Sequence, residues 1–226
     1  MFSIRGALQE KGGHEMSEKL KLYAVGPSSA CERVRIAMEF KGIEHETHFI
    51  SSLRSRDYLK VNPQGLMPAL KIGDRIVSQS MAMLEYLEEV YPEPALLPTD
   101  PVDRAQVRAF CQIIASDIHP VATNRMRTKL KGSFGLSDEQ TLEWYDYWVQ
   151  HGFSVLEKTL ERTRGAGPWC FGTTPTFADL VLIPHMHTAR GLGIDFSGFP
   201  NVMKVFEHGV AHPAFIKAAR ENQSDA

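Results

Sequence analysis

Two short segments place hydroxyl groups where a helix begins. In Pro27-Ser28-Ser29-Ala30-Cys31-Glu32-Arg33, a β-prone run from Lys21 to Val25 stops at Gly26-Pro27, and a helical pattern follows at Val34, Ala37 and Met38. Ser28 and Ser29 therefore stand at a helix N-terminus, where unpaired backbone N–H groups and the helix dipole stabilise a thiolate or a carboxylate. Either serine also suits the plainer role of N-cap. Cys31 falls in the first helical turn, a place where a thiol pKa can drop, although most lone cysteines are buried and inert. Gln79-Ser80 repeats the arrangement directly after a strand, able to hold a carboxylate or simply to cap the next helix.

Further residues widen the choice of chemistry. Pro68 opens a strand in Gly65-Leu66-Met67-Pro68-Ala69-Leu70, and a cis bond there would leave the Met67 backbone free to pair with a peptide-like ligand. Ile118 to Ser137 carries Arg125, Arg127, Lys129 and Lys131 without an acid, which suits either an anion clamp or a solvated helix face. His119-Pro120 breaks the helical pattern just before this island and marks a kink rather than a metal site. The nine histidines form no ligand cluster, since His185 and His187 lie two apart and point to different helix faces, so no metal is expected. Thr176-Phe177-Ala178-Asp179 has capping-box spacing, and the helix it starts carries Arg190 near its end, where a cation suits the dipole or binds an anion.

The elements that must position these groups fall into two halves. The 226 residues allow one large domain or two small ones, and 43% hydrophobic with 23% charged residues is a globular composition. A net charge of -2 offers no global field for nucleic acid or an anionic membrane. No apolar run approaches the roughly 18 residues of a spanning helix. Three scattered cysteines without a C-x-x-C pair argue against a disulfide framework and for a reducing, cytoplasmic setting. Residues 1–19 lack a signal-peptide core and read as a flexible extension, with Met16 as an alternative start. From Lys21 the pattern runs strand, helix to Gly42, strand His45–Ile50, a helical turn at Asp57–Val61, a hairpin of Met67–Ile72 and Arg75–Ser78 about Gly73-Asp74, and a helix Ser80–Tyr91. Four prolines between Pro92 and Pro101 make a linker. Beyond it the chain reads as helical: Val102 to about Lys131, Ser137 to about Arg164, Thr176 to about Leu192, and two shorter segments after Pro200 and Pro213. The divisions expected are 1–19, 20–100 and an all-helical 101–226.

The segments SSACERVRIAMEFKGI (28–43), NPQGLMPAL (62–70), QSMAMLEYLEE (79–89) and FGTTPTFADLVLIP (171–184) resemble the zeta class of glutathione transferases, which includes maleylacetoacetate and maleylpyruvate isomerases. The resemblance covers about residues 20–226. It implies a thioredoxin-like α/β domain followed by an all-α domain, a homodimer, one glutathione site per subunit and a cis Pro68. It further implies that Ser28 and Ser29 match the family's serine pair, that the Met67 backbone pairs with glutathione, and that Gln79-Ser80 holds the γ-glutamyl end. His119 and Thr123-Asn124-Arg125 fall where the family lines its pocket, and Arg190 matches an arginine that binds a substrate carboxylate. One departure stands out: the family motif S-S-C-x-W-R-V-R puts its cysteine at Ala30 and its tryptophan at Glu32. Cys31 is displaced by one residue, about 100° around a helix, and cannot simply replace that thiol.

The implied reaction is glutathione-dependent cis–trans isomerisation of a maleyl dicarboxylate. Glutathione brings the nucleophile, so the protein needs a donor for the thiolate (Ser28) and cations for the carboxylates, with Arg190 and Arg125 or Arg127 the candidates. Conjugation or dehalogenation of small halogenated acids or quinols is an alternative enzyme activity. A non-catalytic binding module on the same fold is an alternative of another class, against which the retained Ser28, Pro68 and Gln79-Ser80 argue.

Overall fold

A computed structural model describes residues 19–224, so the expected extension lies, except for Lys19, outside the described residues. The elements are β1 (Leu20–Ala24), α1 (Ser29–Phe40), β2 (His45–Phe49), α2 (Arg56–Val61), β3 (Ala69–Ile72), β4 (Arg75–Ser78) and α3 (Ser80–Val90). After the linker come α4 (Pro101–Gln112), a π-helical turn (Ile113–Ile118), α5 (Asn124–Phe134), α6 (Asp138–Thr163), α7 (Phe177–Gly191), α8 (Pro200–Val210), α9 (Pro213–Ala218) and a 3-10 turn at Arg220–Asn222.

The strands form one sheet in the order β2-β1-β3-β4. β1 and β2 are parallel because α1 crosses between them, whereas β3 runs antiparallel to both β1 and β4. Gly73, at φ 55°, supplies the positive φ that closes the β3–β4 hairpin. Along β1 the side chains of Leu20, Leu22 and Ala24 enter the core and those between face outward, the period-two pattern of a half-covered strand.

α1 departs from the one-sided helix that its apolar spacing suggests. Every residue from Ser29 to Met38 is buried, including Glu32, Arg33 and Arg35, because α1 packs against α3 on one side and against α7 and α9 of the helical half on the other. Arg35 ties these together, donating from Nε to the Ala218 carbonyl (2.9 Å) and from Nη2 to the Gly26 carbonyl (3.1 Å).

The proline-rich linker is held at both ends. Lys41 at the end of α1 donates to the carbonyls of Tyr91 and Pro94 and pairs with the Glu88 carboxylate at 2.8 Å. Glu88 in turn accepts the Leu96 and Leu97 amides, so this buried ion pair also satisfies backbone that the prolines leave without helix or sheet partners. The peptide bond before Pro94 is cis.

The helical stretch expected from Val102 to about Lys131, broken at His119-Pro120, is three pieces. The ladder widens at Ile113–Ile118, where the His119 amide reaches the Ile114 carbonyl (2.8 Å), five residues back, and the chain then leaves helical geometry through Pro120. Thr123 restarts it as the N-cap of α5, its hydroxyl oxygen accepting the Met126 amide. The Thr176–Asp179 box forms, with Asp179 Oδ2 accepting both the amide (2.8 Å) and the hydroxyl (3.2 Å) of Thr176. Among the described residues no helix is long and apolar enough to cross a membrane, and no group of His, Cys, Asp or Glu is arranged to hold a metal ion.

Candidate functional site

A cavity of about 440 Å³ opens between the two halves. One wall comes from the sheet half: Ala30 and Arg33 of α1, the loop Asn62–Pro68, and Gln79 and Ser80 where α3 starts. The facing wall comes from the helical half: Gln112, Ala115, Ser116, His119, Pro120, Thr123 and Arg125.

The first wall is locally braced. Asn62 donates from Nδ2 to the Leu66 carbonyl (2.8 Å) and accepts the Gln64 amide on Oδ1 (3.2 Å), while the Tyr58 hydroxyl donates to the same Leu66 carbonyl (2.6 Å). These bonds hold the backbone that leads into the cis Met67–Pro68 bond, so the cis geometry expected for Pro68 is present. Gln79 sits at φ 73°, a region a side chain rarely occupies, and its Nε2 donates to Gln64 Oε1 (2.9 Å). Strain of this kind persists only where neighbours hold it, and it concentrates at ligand clamps. Ser80, the first residue of α3, is buried at the cavity, and its Oγ accepts a hydrogen bond from Arg33 Nη1 at 3.3 Å.

The second wall is built by the irregular helix. The π turn and the break after it bring His119 and Thr123 to the cavity, and α5 then adds Arg125 from its first turn. Burial pulls the His119 pKa down to about 3, with Arg33 and Arg125 adding positive charge nearby, so its imidazole is neutral at physiological pH. His185 of α7 lies edge-on to His119, its pKa also depressed, first by burial.

Not every expected residue reaches this cavity. Cys31 is 0% exposed, belongs to the hydrophobic core and is not among the residues that line the cavity, which argues against the catalytic role considered for it. Its amide instead donates to Ser28 Oγ (3.3 Å), making Ser28 the N-cap; the serine hydroxyl keeps its own proton to donate. Ser29 is buried as the first helical residue. Asn124 and Arg127 do not line the cavity; Arg127 lies near Tyr145. Lys131, from the same basic island, pairs with Asp138.

Arg190, expected at a substrate carboxylate, is exposed at the end of α7, its guanidinium 5.1 Å over the Phe206 ring and outside the cavity lining. Glu32, where the family motif has tryptophan, is buried with His187 Nδ1 at 3.7 Å, and Glu221 closes on the other ring nitrogen at 3.2 Å.

Five polar lining residues, Arg33, Asn62, Gln64, Gln112 and Ser116, are not among those that the sequence marks for chemistry. Asn62 and Gln64 had a local signal, since Asn-Pro turns favour side-chain to backbone bonds of the kind Asn62 makes. Arg33 had none. A larger, shallower groove of about 720 Å³ lies elsewhere, between α1 and β2, and among the described residues it has no buried polar side-chain atom without a partner.

Comparison with known proteins covers most of the chain. Residues 27–90 match the glutathione S-transferase N-terminal domain and residues 117–213 its C-terminal domain. The chain is 36% identical to maleylacetoacetate isomerase of Pseudomonas aeruginosa, covering 91% of this chain and 98% of that one. It is also 36% identical to maleylpyruvate isomerase of a Ralstonia species, covering 92% and 100%. Among solved structures, the holo form of a bacterial zeta-class maleylpyruvate isomerase superposes with a TM-score of 0.88 at 35% identity, covering 91% of this chain and 99% of that one. A maleylacetoacetate isomerase from Methylobacterium extorquens, solved with malonate and glutathione, gives 0.87 at 37% identity, covering 91% and 99%.

Proposed function

Because the chain belongs to the zeta class of glutathione transferases, we propose that it isomerises a maleyl dicarboxylate, maleylacetoacetate or maleylpyruvate, with glutathione as co-substrate. The observation that carries this reading is the convergence, in one cavity between the halves, of Gln79-Ser80, the cis Met67–Pro68 bond, His119 and Arg125. Bound glutathione supplies a thiolate whose reversible addition to the conjugated double bond leaves a single bond free to rotate.

The chain's own residues do the rest. Ser80 and Gln79 hold the γ-glutamyl carboxylate at the N-terminus of α3, where the dipole favours an anion. The Met67 backbone pairs with the peptide part of the ligand. Ser28, whose oxygen caps α1, donates its hydroxyl proton toward the thiolate and keeps it ionised near neutral pH. Arg125 holds a substrate carboxylate, and neutral His119 donates a hydrogen bond as charge moves onto a carbonyl oxygen. The buried, unpartnered nitrogens of Arg33 beside the cavity fit a site built for anions.

A homodimer in the cytoplasm belongs to the same reading; Cys31, Cys111 and Cys170 are all buried and form no disulfides, which suits a reducing compartment. Light scattering should give twice the 25.4 kDa chain mass. Turnover of maleylacetoacetate and maleylpyruvate with and without glutathione tests the activity. Glutathione-dependent conversion of at least one to its fumaryl isomer is expected. A protein that binds glutathione yet converts neither would be no isomerase, and halide release from a halogenated acid would then identify the conjugating chemistry instead.

A further inference from the structure

Among the described residues no carboxylate pairs with Arg33 within salt-bridge distance, although the neighbouring Glu32 acts on it electrostatically. α1 carries Arg33 to the cavity, where it is 2% exposed, and of its three guanidinium nitrogens only Nη1 has a partner, the Ser80 oxygen at 3.3 Å. The groups facing it do not neutralise it. Glu32, its neighbour on α1, directs its carboxylate to His187; His119, after the π turn, and His185 of α7 are held neutral by burial; and burial keeps the Cys111 thiol of α4 protonated. Burial lowers the Arg33 pKa to about 10, which leaves it charged at neutral pH. An ion removed from water without a counter-ion is strongly destabilising, so its persistence beside a cavity points to an anion that arrives from outside.

Resting on the glutathione reading above, we infer that Arg33 is the buried counter-charge of the carboxylate subsite at Gln79-Ser80, acting through Ser80. By donating to Ser80 Oγ, Arg33 occupies a lone pair of that oxygen, and the hydroxyl proton is left for the ligand carboxylate. Its charge also strengthens that bond, since a hydrogen bond to a charged group in a dry site is worth more than a neutral one. Arg33 is thus a positioning residue whose ligand is the free α-carboxylate of a γ-glutamyl group.

The role carries a signature that a packing role lacks. Arg33→Met keeps most of the volume and removes the uncompensated charge, so without ligand its melting temperature should equal or exceed that of the unaltered protein, while the stabilisation produced by glutathione shrinks. Calorimetry should show glutathione bound about tenfold to a hundredfold more weakly. Arg33→Lys, which keeps charge but loses the planar fork, should fall between. A glutathione analogue with the γ-glutamyl α-carboxylate amidated should bind the unaltered protein much more weakly than glutathione, and this preference should collapse in Arg33→Met. In Ser80→Ala, removing Arg33 should cost less than it does when Ser80 is present.

Full glutathione affinity in Arg33→Met, or in Arg33→Lys if the methionine variant does not fold, would overturn the assignment. So would a lower ligand-free melting temperature with an unchanged preference for the carboxylate. If the unaltered protein itself bound no glutathione, the proposed function would fail instead, a result distinct from any change among the variants.

Discussion

The two walls of the cavity are made by different means. The wall from the sheet half includes a short loop whose Asn62 side chain bonds to backbone a few residues away, donating to the Leu66 carbonyl and accepting the Gln64 amide. The wall from the helical half has local bonds too, the Met126 amide to Thr123 and the Ser116 hydroxyl to Gln112, but these do not set its course. Its shape comes from a widened helix, a break at His119-Pro120 and the packing of the π turn against α6 and α7. The loop of the first wall is therefore braced close in sequence, whereas the course of the second is set by packing between elements distant in sequence. Replacements in the first should alter binding while sparing stability, and replacements behind the second should do the reverse.

The largest test concerns Asp179, which lies at the start of α7 and outside the cavity lining. Its carboxylate is fully buried and accepts the amides of Cys170 and Thr176 and the Thr176 hydroxyl. Asp179→Ala leaves three buried donors unpaired and should cost about 3–5 kcal/mol in denaturant unfolding. A loss under about 1 kcal/mol would show that the helical wall does not depend on the packing at the start of α7.

Next in size is the choice between two arginines. Arg125 lines the cavity, whereas Arg190 covers Phe206 from outside. Arg125→Lys should lower kcat/KM for the diacid by about 2 kcal/mol, roughly thirtyfold, with glutathione affinity nearly constant. Arg190→Lys should lose only a cation–π contact of about 0.5–1 kcal/mol in stability. A larger catalytic loss at Arg190 than at Arg125 would move the carboxylate clamp to the end of α7.

A smaller effect separates Ser28 from Cys31. Ser28→Ala should raise the pKa of bound glutathione, read as lost thiolate absorbance near neutral pH, and cost about 1 kcal/mol of stability through the missing cap. Cys31→Ser should leave the thiolate signal unchanged, because that side chain lies in the core. Loss of the signal in the Cys31 variant alone would reassign the role.

The gentlest test is pH. Burial holds the folded-state pKa of His185 below its unfolded value of about 6.5, so its contribution is complete above that pH and is lost as the pH falls. His187 behaves oppositely: hydrogen bonding to Glu32 raises its pKa, so its contribution is present below about 6.5 and is lost as the pH rises through the raised value. His185→Phe should flatten the acid side of a melting-temperature profile, by at most about 1.4 kcal/mol per pH unit, and His187→Gln should flatten the neutral side. Equal slopes in all three proteins would mean that neither ring titrates differently on folding.

What could be read without coordinates was whatever depends on a few consecutive residues. Ser28 as a cap, the Gly73-Asp74 hairpin, the proline-rich linker, the Thr176–Asp179 box and the break at His119-Pro120 all follow from bonds or steric limits that span five residues or fewer. The family resemblance supplied Gln79-Ser80 and the cis bond at Pro68. Tertiary structure alone decided which way the same short helix presents its neighbours: Cys31 into the core, Glu32 toward His187, and Arg33 to the cavity. Apolar spacing tells which face of a helix meets one partner, but α1 has a partner on each side, so even its charged residues are buried. The same limit applies to Arg190 and to the π turn, because the position of a long helix end and the tolerance for a widened turn are set by packing between segments distant in sequence.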